Sequence, residues 1–352
     1  MSVYYRMKRI FKREERSRVA GKLITLRKQI RTEIPRKTVN DTLLLATWNI
    51  RDFDSNKFKH GPRMNESYYY IAEIISAFDI IALQEINENL KALKRVMNIL
   101  GPNWHFIVTD VTEGSSGNKE RMTFVFDSNK VSFRNVAGEV VLPETKLIAG
   151  RRQFSRTPFL VAFQSGWFKF MLCTVHIYYG CNYGAKFERR VKEIKTIGKF
   201  ISKRANDKNY NYVLLGDFNI ISPEHETMYA LEGSGFEIPV ELKRATNLDE
   251  AKFYDQIAFK ARPNELQLGD SEKNAGAFHY YKSVFKDDEF NVYENFINPS
   301  KRDFDESGKV RDESQKLKYF KKVWRTFQMS DHYPLWVELK IDFSKDYLEN
   351  FL

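Results

Sequence analysis

The apolar positions of the chain follow two rhythms, and the alternation between them predicts its elements. Val19, Leu23, Leu26 and Ile30 recur at three- and four-residue spacing, which predicts an amphipathic helix over residues 5–33, ended by Pro35. Leu43–Ile50 and Ile80–Ile86 are dense apolar runs that read as buried strands. Between them Tyr69, Ile71, Ile74 and Ile75 give Glu66–Phe78 the apolar face of a helix. Leu90–Leu100 repeats the helical rhythm and stops at Gly101-Pro102. Trp104–Thr109, Arg121–Asp127 and Val131–Leu142 read as strands, and Pro158–Tyr178 as a hairpin turning at Ser165-Gly166. Phe187–Ile201 returns to helix, and Tyr212–Leu215, Lys252–Phe259 and Leu335–Ile341 complete the strands. Strands joined sometimes by helices and sometimes by tight turns imply mixed sheets covered by helices, an α/β (α+β) fold. Residues 260–322 are polar and charged, with Phe278, Tyr280, Tyr281 and Phe285 scattered among them, and read as an insertion rather than a second domain.

The ends of the apolar runs carry the chemistry. Trp48-Asn49, Gln84-Glu85, Val175-His176, Gly216-Asp217-Phe218-Asn219 and Ser330-Asp331-His332-Tyr333-Pro334 each set an acid, amide or imidazole at one end of an apolar run. Asn49, Glu85, Asp217 and Asp331 are the hard oxygen donors that a cation such as Mg2+ prefers, and no His/Cys spacing suits zinc. Such a cation could neutralise charge on a phosphoryl group and lower the pKa of a bound water. Histidine as a residue type titrates in the range needed to move protons, His176 and His332 both sit at strand ends, and Glu120 and Asp255 are carboxylates able to orient them. The pairing of acid with histidine is open at this level. Taken singly, each such residue is more often a turn or cap than a functional group; five in this order hardly arise by chance. His60, His105, His225 and His279 lack the strand-end setting and read as surface or packing residues.

Charge adds one element to this picture. Residues 1–40 hold 13 Lys/Arg against 3 Asp/Glu, so ten of the +11 net charges sit there and the other 312 residues sum to +1. A basic arm beside a nearly neutral body suits a polyanion or a partner protein, and equally suits packing against the body. The sequence has no run apolar and long enough to cross a membrane and no secretory pattern at its start. Only Cys173 and Cys181 are present, too few for a disulfide framework, so a reducing, cytoplasmic setting is expected.

From residue 43 to about 341 the order Trp48-Asn49, Gln84-Glu85, His176, Gly216-Asp217-Phe218-Asn219, Tyr254-Asp255, Ser330-Asp331-His332 resembles the endonuclease/exonuclease/phosphatase superfamily. Its motifs are most similar to the deoxyribonuclease I-like branch, because His176 holds the strand end and Lys119-Glu120-Arg121 precedes an apolar strand. The resemblance implies a four-layer sandwich of two packed mixed β-sheets flanked by helices. It implies a catalytic domain over residues 41–344, holding the charged insertion at 260–322, after a helical arm over 1–40 and before a tail over 345–352. It further implies a Mg2+-dependent phosphodiester hydrolase, with Mn2+ as an alternative, acting as an endonuclease on nucleic acid, with DNA the expected form. Glu85, Asn49 and Asp331 would hold the metal, and Asp217 and Asn219 would contact the phosphate. Glu120 would orient His176 as proton donor, Asp255 would orient His332 as base, and Arg156 in Ser155-Arg156-Thr157-Pro158 would contact phosphate.

The chain departs from that branch at Asn87 and Asn118, which take positions where the branch carries a minor-groove arginine and tyrosine. Amides can still hydrogen-bond in a minor groove but supply neither charge nor stacking. Two other readings stand beside the nuclease: an inositol-phosphate or phospholipid phosphodiesterase or phosphatase of the same superfamily, and a binding module without activity. Gly216-Asp217-Phe218-Asn219 and Tyr254-Asp255-Gln256 differ from the motifs typical of inositol phosphatases, and every motif position keeps a competent side chain, which disfavours the inactive module.

Overall fold

The structure, a computed structural model, describes residues 3–53, 56–112, 119–148, 153–205, 210–349 and 351–352. Eleven strands are found among the described residues: β1 (Thr42–Phe53), β2 (Ile80–Asn87), β3 (Trp104–Val108), β4 (Glu120–Asp127), β5 (Ser132–Glu139), β6 (Phe159–Ser165), β7 (Phe168–His176), β8 (Asn211–Asp217), β9 (Asp255–Lys260), β10 (Ala275–Ala277) and β11 (Leu335–Lys340). They form two sheets, ordered β10-β11-β1-β2-β4-β3 and β5-β6-β7-β8-β9. Each sheet is mixed: β1 and β2 are parallel, as are β7 and β8, and the remaining pairs are antiparallel.

Both faces of β1 are buried, which is why it reads as a continuous apolar run rather than an alternation. Leu43 and Leu45 point toward the second sheet and join a core with Ala82, Phe124, Phe163, Leu172 and Leu214. Leu44, Ala46 and Trp48 point the other way, into a core shared with the helices Asn65–Ser76 and Lys91–Leu100. The helix Gly184–Arg204 covers the far side of the second sheet through Val191, Ile194, Ile197 and Ile201. Two sheets between helical layers are thus the expected sandwich.

Gly216 is needed where β7 and β8 run side by side. Its φ is +133°, and a Cβ there would stand 2.2 Å from the Val175 carbonyl oxygen. Gly216→Ala is expected to cost roughly 2–4 kcal/mol from the clash and the backbone strain together. An unchanged urea midpoint for that variant would contradict this account.

The segment 260–322, read as a charged insertion, is packed into the body: β10 pairs with β11, and Phe278, Tyr280, Tyr281, Phe285 and Tyr293 are buried in the helix-side core. One expectation needs correction. The first helix breaks into Met7–Ile10 and Arg13–Glu33, because Phe11 leaves helical geometry and buries its ring. Val19, Leu23 and Leu26 then seat the longer helix on the body. Arg18 pairs with Glu66 at 2.6 Å, Arg27 with Glu73 at 3.1 Å, and Lys22 with Glu289. Part of the basic charge of the arm is therefore spent internally, and of the alternatives left open for the arm the geometry shows packing.

Candidate active site

The parallel pairs explain how distant strand ends meet. Between β1 and β2 the register sets Asn49 beside Gln84, with Glu85 next. Between β7 and β8 it sets His176 beside Asp217, and the antiparallel β9 brings Asp255 opposite Asp217. Gln84 links the two sheets, donating from Nε2 to Thr47 Oγ1 at 3.1 Å and to Thr174 Oγ1 at 2.9 Å. Asn49 joins the two strand sets at the edge: its Nδ2 donates to Glu85 Oε1 and to Asp217 Oδ2, each at 3.0 Å.

The backbone around this cluster is strained. Asp52, Glu85, Lys119 and Asn219 all have φ between +44° and +60°, a region that non-glycine residues enter at a cost of about 1–2 kcal/mol. The Asp52 N–H donates to Glu85 Oε2 at 2.8 Å, and the Asn219 N–H to Asp217 Oδ1 at 2.9 Å, so each turn is held by the carboxylate it presents.

Two histidines flank the cluster, each beside a carboxylate of the opposite sheet. His332 Nδ1 lies 2.7 Å from Asp255 Oδ2, which also accepts from Thr246 Oγ1 at 2.7 Å. Burial acts against the charged ring, yet Asp255 first, then Asp217 and Asp331, raise His332 to about 10. Burial also pushes the Asp255 carboxyl up, which opposes an ion pair; the short bond and the Thr246 donor both favour the carboxylate, so the pair is best described as imidazolium and carboxylate. His176 Nδ1 lies 3.1 Å from Glu120 Oε2 without the alignment of a good hydrogen bond, and its Nε2 is 3.6 Å from Asp217 Oδ2. Burial alone would raise Glu120, but His176 and Arg156 outweigh it and hold the carboxyl well below the usual range.

The other expected residues fall into distinct settings. Arg156 donates from Nε to Glu120 Oε2 at 2.9 Å, so part of its guanidinium is already engaged. Asn219 gives its Nδ2 to the Ile177 carbonyl at 2.8 Å, which ties the loop after His176 to the loop after Asp217. Asp331 is the most exposed member, 3.6 Å from Arg51. Asn87 lines a cleft of about 160 Å³ with Glu85 and Glu120, and Asn118 lies outside the described residues.

Several supports went unforeseen. The Ser330 hydroxyl donates to the Asn49 carbonyl at 2.6 Å and accepts from the His332 N–H at 3.0 Å. Trp48 Nε1 and the Tyr280 hydroxyl, each at 2.9 Å, hold the His332 carbonyl. Buried Arg190 donates to the carbonyls of Tyr179, Cys181 and Asn219 and fixes the loops on the second sheet's side. Its signal was available: Arg190 shares a helical stripe with Ile194 and Ile197.

The donor set fits a hard divalent cation. Asn49 Oδ1 is buried without a hydrogen-bond partner, while the same side chain gathers one oxygen each from Glu85 and Asp217. An amide oxygen and carboxylates are the ligands Mg2+ takes, with water or phosphate completing the shell. Among the described residues no group of three or more His, Cys, Asp or Glu side chains is gathered so as to hold a metal ion, so the fit rests on the Asn49 amide oxygen with its two carboxylate neighbours.

Comparison with known proteins identifies the fold. An endonuclease/exonuclease/phosphatase family protein from Bacteroides thetaiotaomicron superposes with a TM-score of 0.55 at 18% identity, covering 86% of this chain and 99% of that one. The fold is that of the endonuclease/exonuclease/phosphatase family. A mannosyl-6-phosphatase of the same organism shares that fold, with a TM-score of 0.54 at 19% identity over 84% of this chain and 99% of its own. By sequence, a deoxyribonuclease of Thioalkalivibrio sp. is 28% identical over 243 residues, 65% of this chain and 61% of that protein. Deoxyribonuclease-1 of Bos taurus is 31% identical over 129 residues, 35% of this chain and 43% of that protein. The chain thus spans less than two thirds of the length of these curated relatives. No protein-family model matches the chain. Among the described residues no helix is long and apolar enough to cross a membrane.

Proposed function

We propose that the protein is a divalent-metal-dependent phosphodiester hydrolase, a deoxyribonuclease I-like endonuclease acting on DNA. The observation that carries this reading is the convergence of two histidine–carboxylate pairs, His176 with Glu120 and His332 with Asp255, on the cluster Asn49–Glu85–Asp217. The likeness to deoxyribonucleases supports the choice of nucleic acid.

Glu85 and Asn49, with Asp217 or Asp331, would hold the cation. When bound, it supplies charge neutralisation at a phosphoryl oxygen. The protein's own groups then divide the proton work. His332 takes the proton of the attacking water, oriented by Asp255, and His176 returns one to the leaving oxygen, oriented by Glu120. His332 is held up partly by Asp217 and Asp331, so neutralising those carboxylates brings the ring down toward the range in which it accepts a proton. Arg156 and Asn219 border the phosphate.

Supercoiled plasmid incubated with the protein and Mg2+ is expected to be nicked, and EDTA to stop the nicking. The same preparation, offered single-stranded DNA, duplex DNA, RNA, inositol phosphates and mannose 6-phosphate, should hydrolyse nucleic acid at least about a hundredfold faster than the monoesters, a margin worth about 2.7 kcal/mol in the barrier. Release of phosphate from the monoesters with intact plasmid would instead favour a phosphatase of the same fold.

A further inference from the structure

Next to Asp331 lies a cleft of about 590 Å³ in which Arg51 forms one wall and the segment 300–327 the other. Its volume is that of a small-molecule pocket. The helix behind it contains a π turn, Phe320–Trp324, between the α-helical stretches Glu313–Tyr319 and Arg325–Gln328. That wider turn keeps Tyr319, Val323 and Phe327 on the cleft side, four residues apart, while Phe320 and Trp324 remain in the core.

The lining is aromatic and cationic together. Phe58 and Phe304 are 51% and 43% exposed, far more than packing phenylalanines require. His60 stacks on Phe327 with ring centroids 4.5 Å apart, and Arg51 lies 4.1 Å over the same ring. Burial, with Lys301 and Arg51 nearby, pushes His60 down, so its ring is neutral at neutral pH. Lys301 and Arg311 line the cleft as well. Two acids are present: Asp305 is turned to its own loop, accepting from Ser307 and Lys309 N–H groups at 2.9 Å, and Glu306 is exposed.

We propose that this cleft binds an unpaired nucleotide flanking the scissile phosphate, its base stacked on Phe58 or Phe304 and its phosphate near Lys301 and Arg311. The proposal rests on the nuclease reading and deepens it to single-stranded or locally opened nucleic acid. Arg51, which lines the cleft, lies 3.6 Å from Asp331, so the cleft borders the site. Stacking on a ring needs a base free of its pair, and a pocket of this size has no room for a duplex. Asn87, lacking charge and ring on the other flank of Glu85, is consistent with a grip that does not depend on a minor groove.

The test uses the full chain and the double variant Lys301→Ala/Phe304→Ala, with a short single-stranded DNA, its blunt duplex and bis(p-nitrophenyl) phosphate as substrates. KM for the single strand is expected to rise on the order of tenfold with kcat little changed, and the other two substrates to be unaffected. Unchanged KM for the single strand, or equal losses on all three, overturns the proposal. Fluorescence polarisation of the labelled single strand on a His332→Ala background reads binding without turnover. If wild type cleaves no nucleic acid, the nuclease reading fails; loss of polarisation with the double variant still upholds the cleft, and unchanged polarisation sinks it. Should the double variant melt early, Lys301→Ala alone should lower the salt dependence of binding by about one phosphate contact, and an unaltered slope counts against the cleft.

Discussion

His332→Ala is expected to lower the nicking of plasmid by about 10²–10⁴-fold, the range by which a positioned acid or base accelerates proton transfer. The ring is buried, bonded to Asp255 at 2.7 Å, and carried on a loop held by Ser330, Trp48 and Tyr280, so its removal takes away a base that the fold holds in one orientation. Unaltered nicking by this variant would sink the assignment. The same substitution carries a pH signature in stability. A histidine raised from 6.5 to about 10 in the folded protein contributes stability that is complete below pH about 6.5 and is lost as pH climbs through about 10. The gap in denaturation midpoint between wild type and His332→Ala should therefore be wide at pH 6 and narrow at pH 10. A gap that is constant with pH would show that the Asp255 contact leaves the ring neutral.

The second large effect is expected at Glu85. Glu85→Ala removes the carboxylate that Asn49 Nδ2 and the Asp52 N–H both address, and should cost at least about a hundredfold in turnover. Divalent-ion binding by calorimetry should weaken in parallel, a readout independent of turnover. Retained ion affinity with lost activity would move the cation to Asp331 and leave Glu85 a positioning role. Stability should fall by only about 1–2 kcal/mol, the cost of an Asp52 N–H left without its acceptor, since alanine keeps its Cβ and the strain of the positive φ is the same in both proteins.

Much of the sandwich was visible in the sequence because strands buried on both faces leave dense apolar runs, as at Leu43–Ile50 and Ile80–Ile86. Their far ends were less visible. β1 continues to Phe53, and it is this polar, bulged continuation that positions Asp52 and Glu85. Local pattern cannot pair Glu120 with His176 or Asp255 with His332, since each pair forms only when the two sheets come together. The helix-side aromatics Tyr280, Tyr281 and Phe285 were hidden for another reason: they lie on a short 3-10 turn and irregular backbone, where burial leaves no period. Thr246 carried no signal, being an ordinary loop hydroxyl until its partner is known, and Ser330 stood in the motif Ser330-Asp331-His332 without its hydrogen bonds being legible.

The bond between Asn49 and Asp217 and the two histidine–carboxylate contacts all run from one sheet to the other. Neither sheet therefore owns a working half of the site. The proposed chemistry belongs to their alignment, so a small slide of one layer over the other, too slight to unpair a strand, would take the proposed site apart while leaving the secondary structure whole.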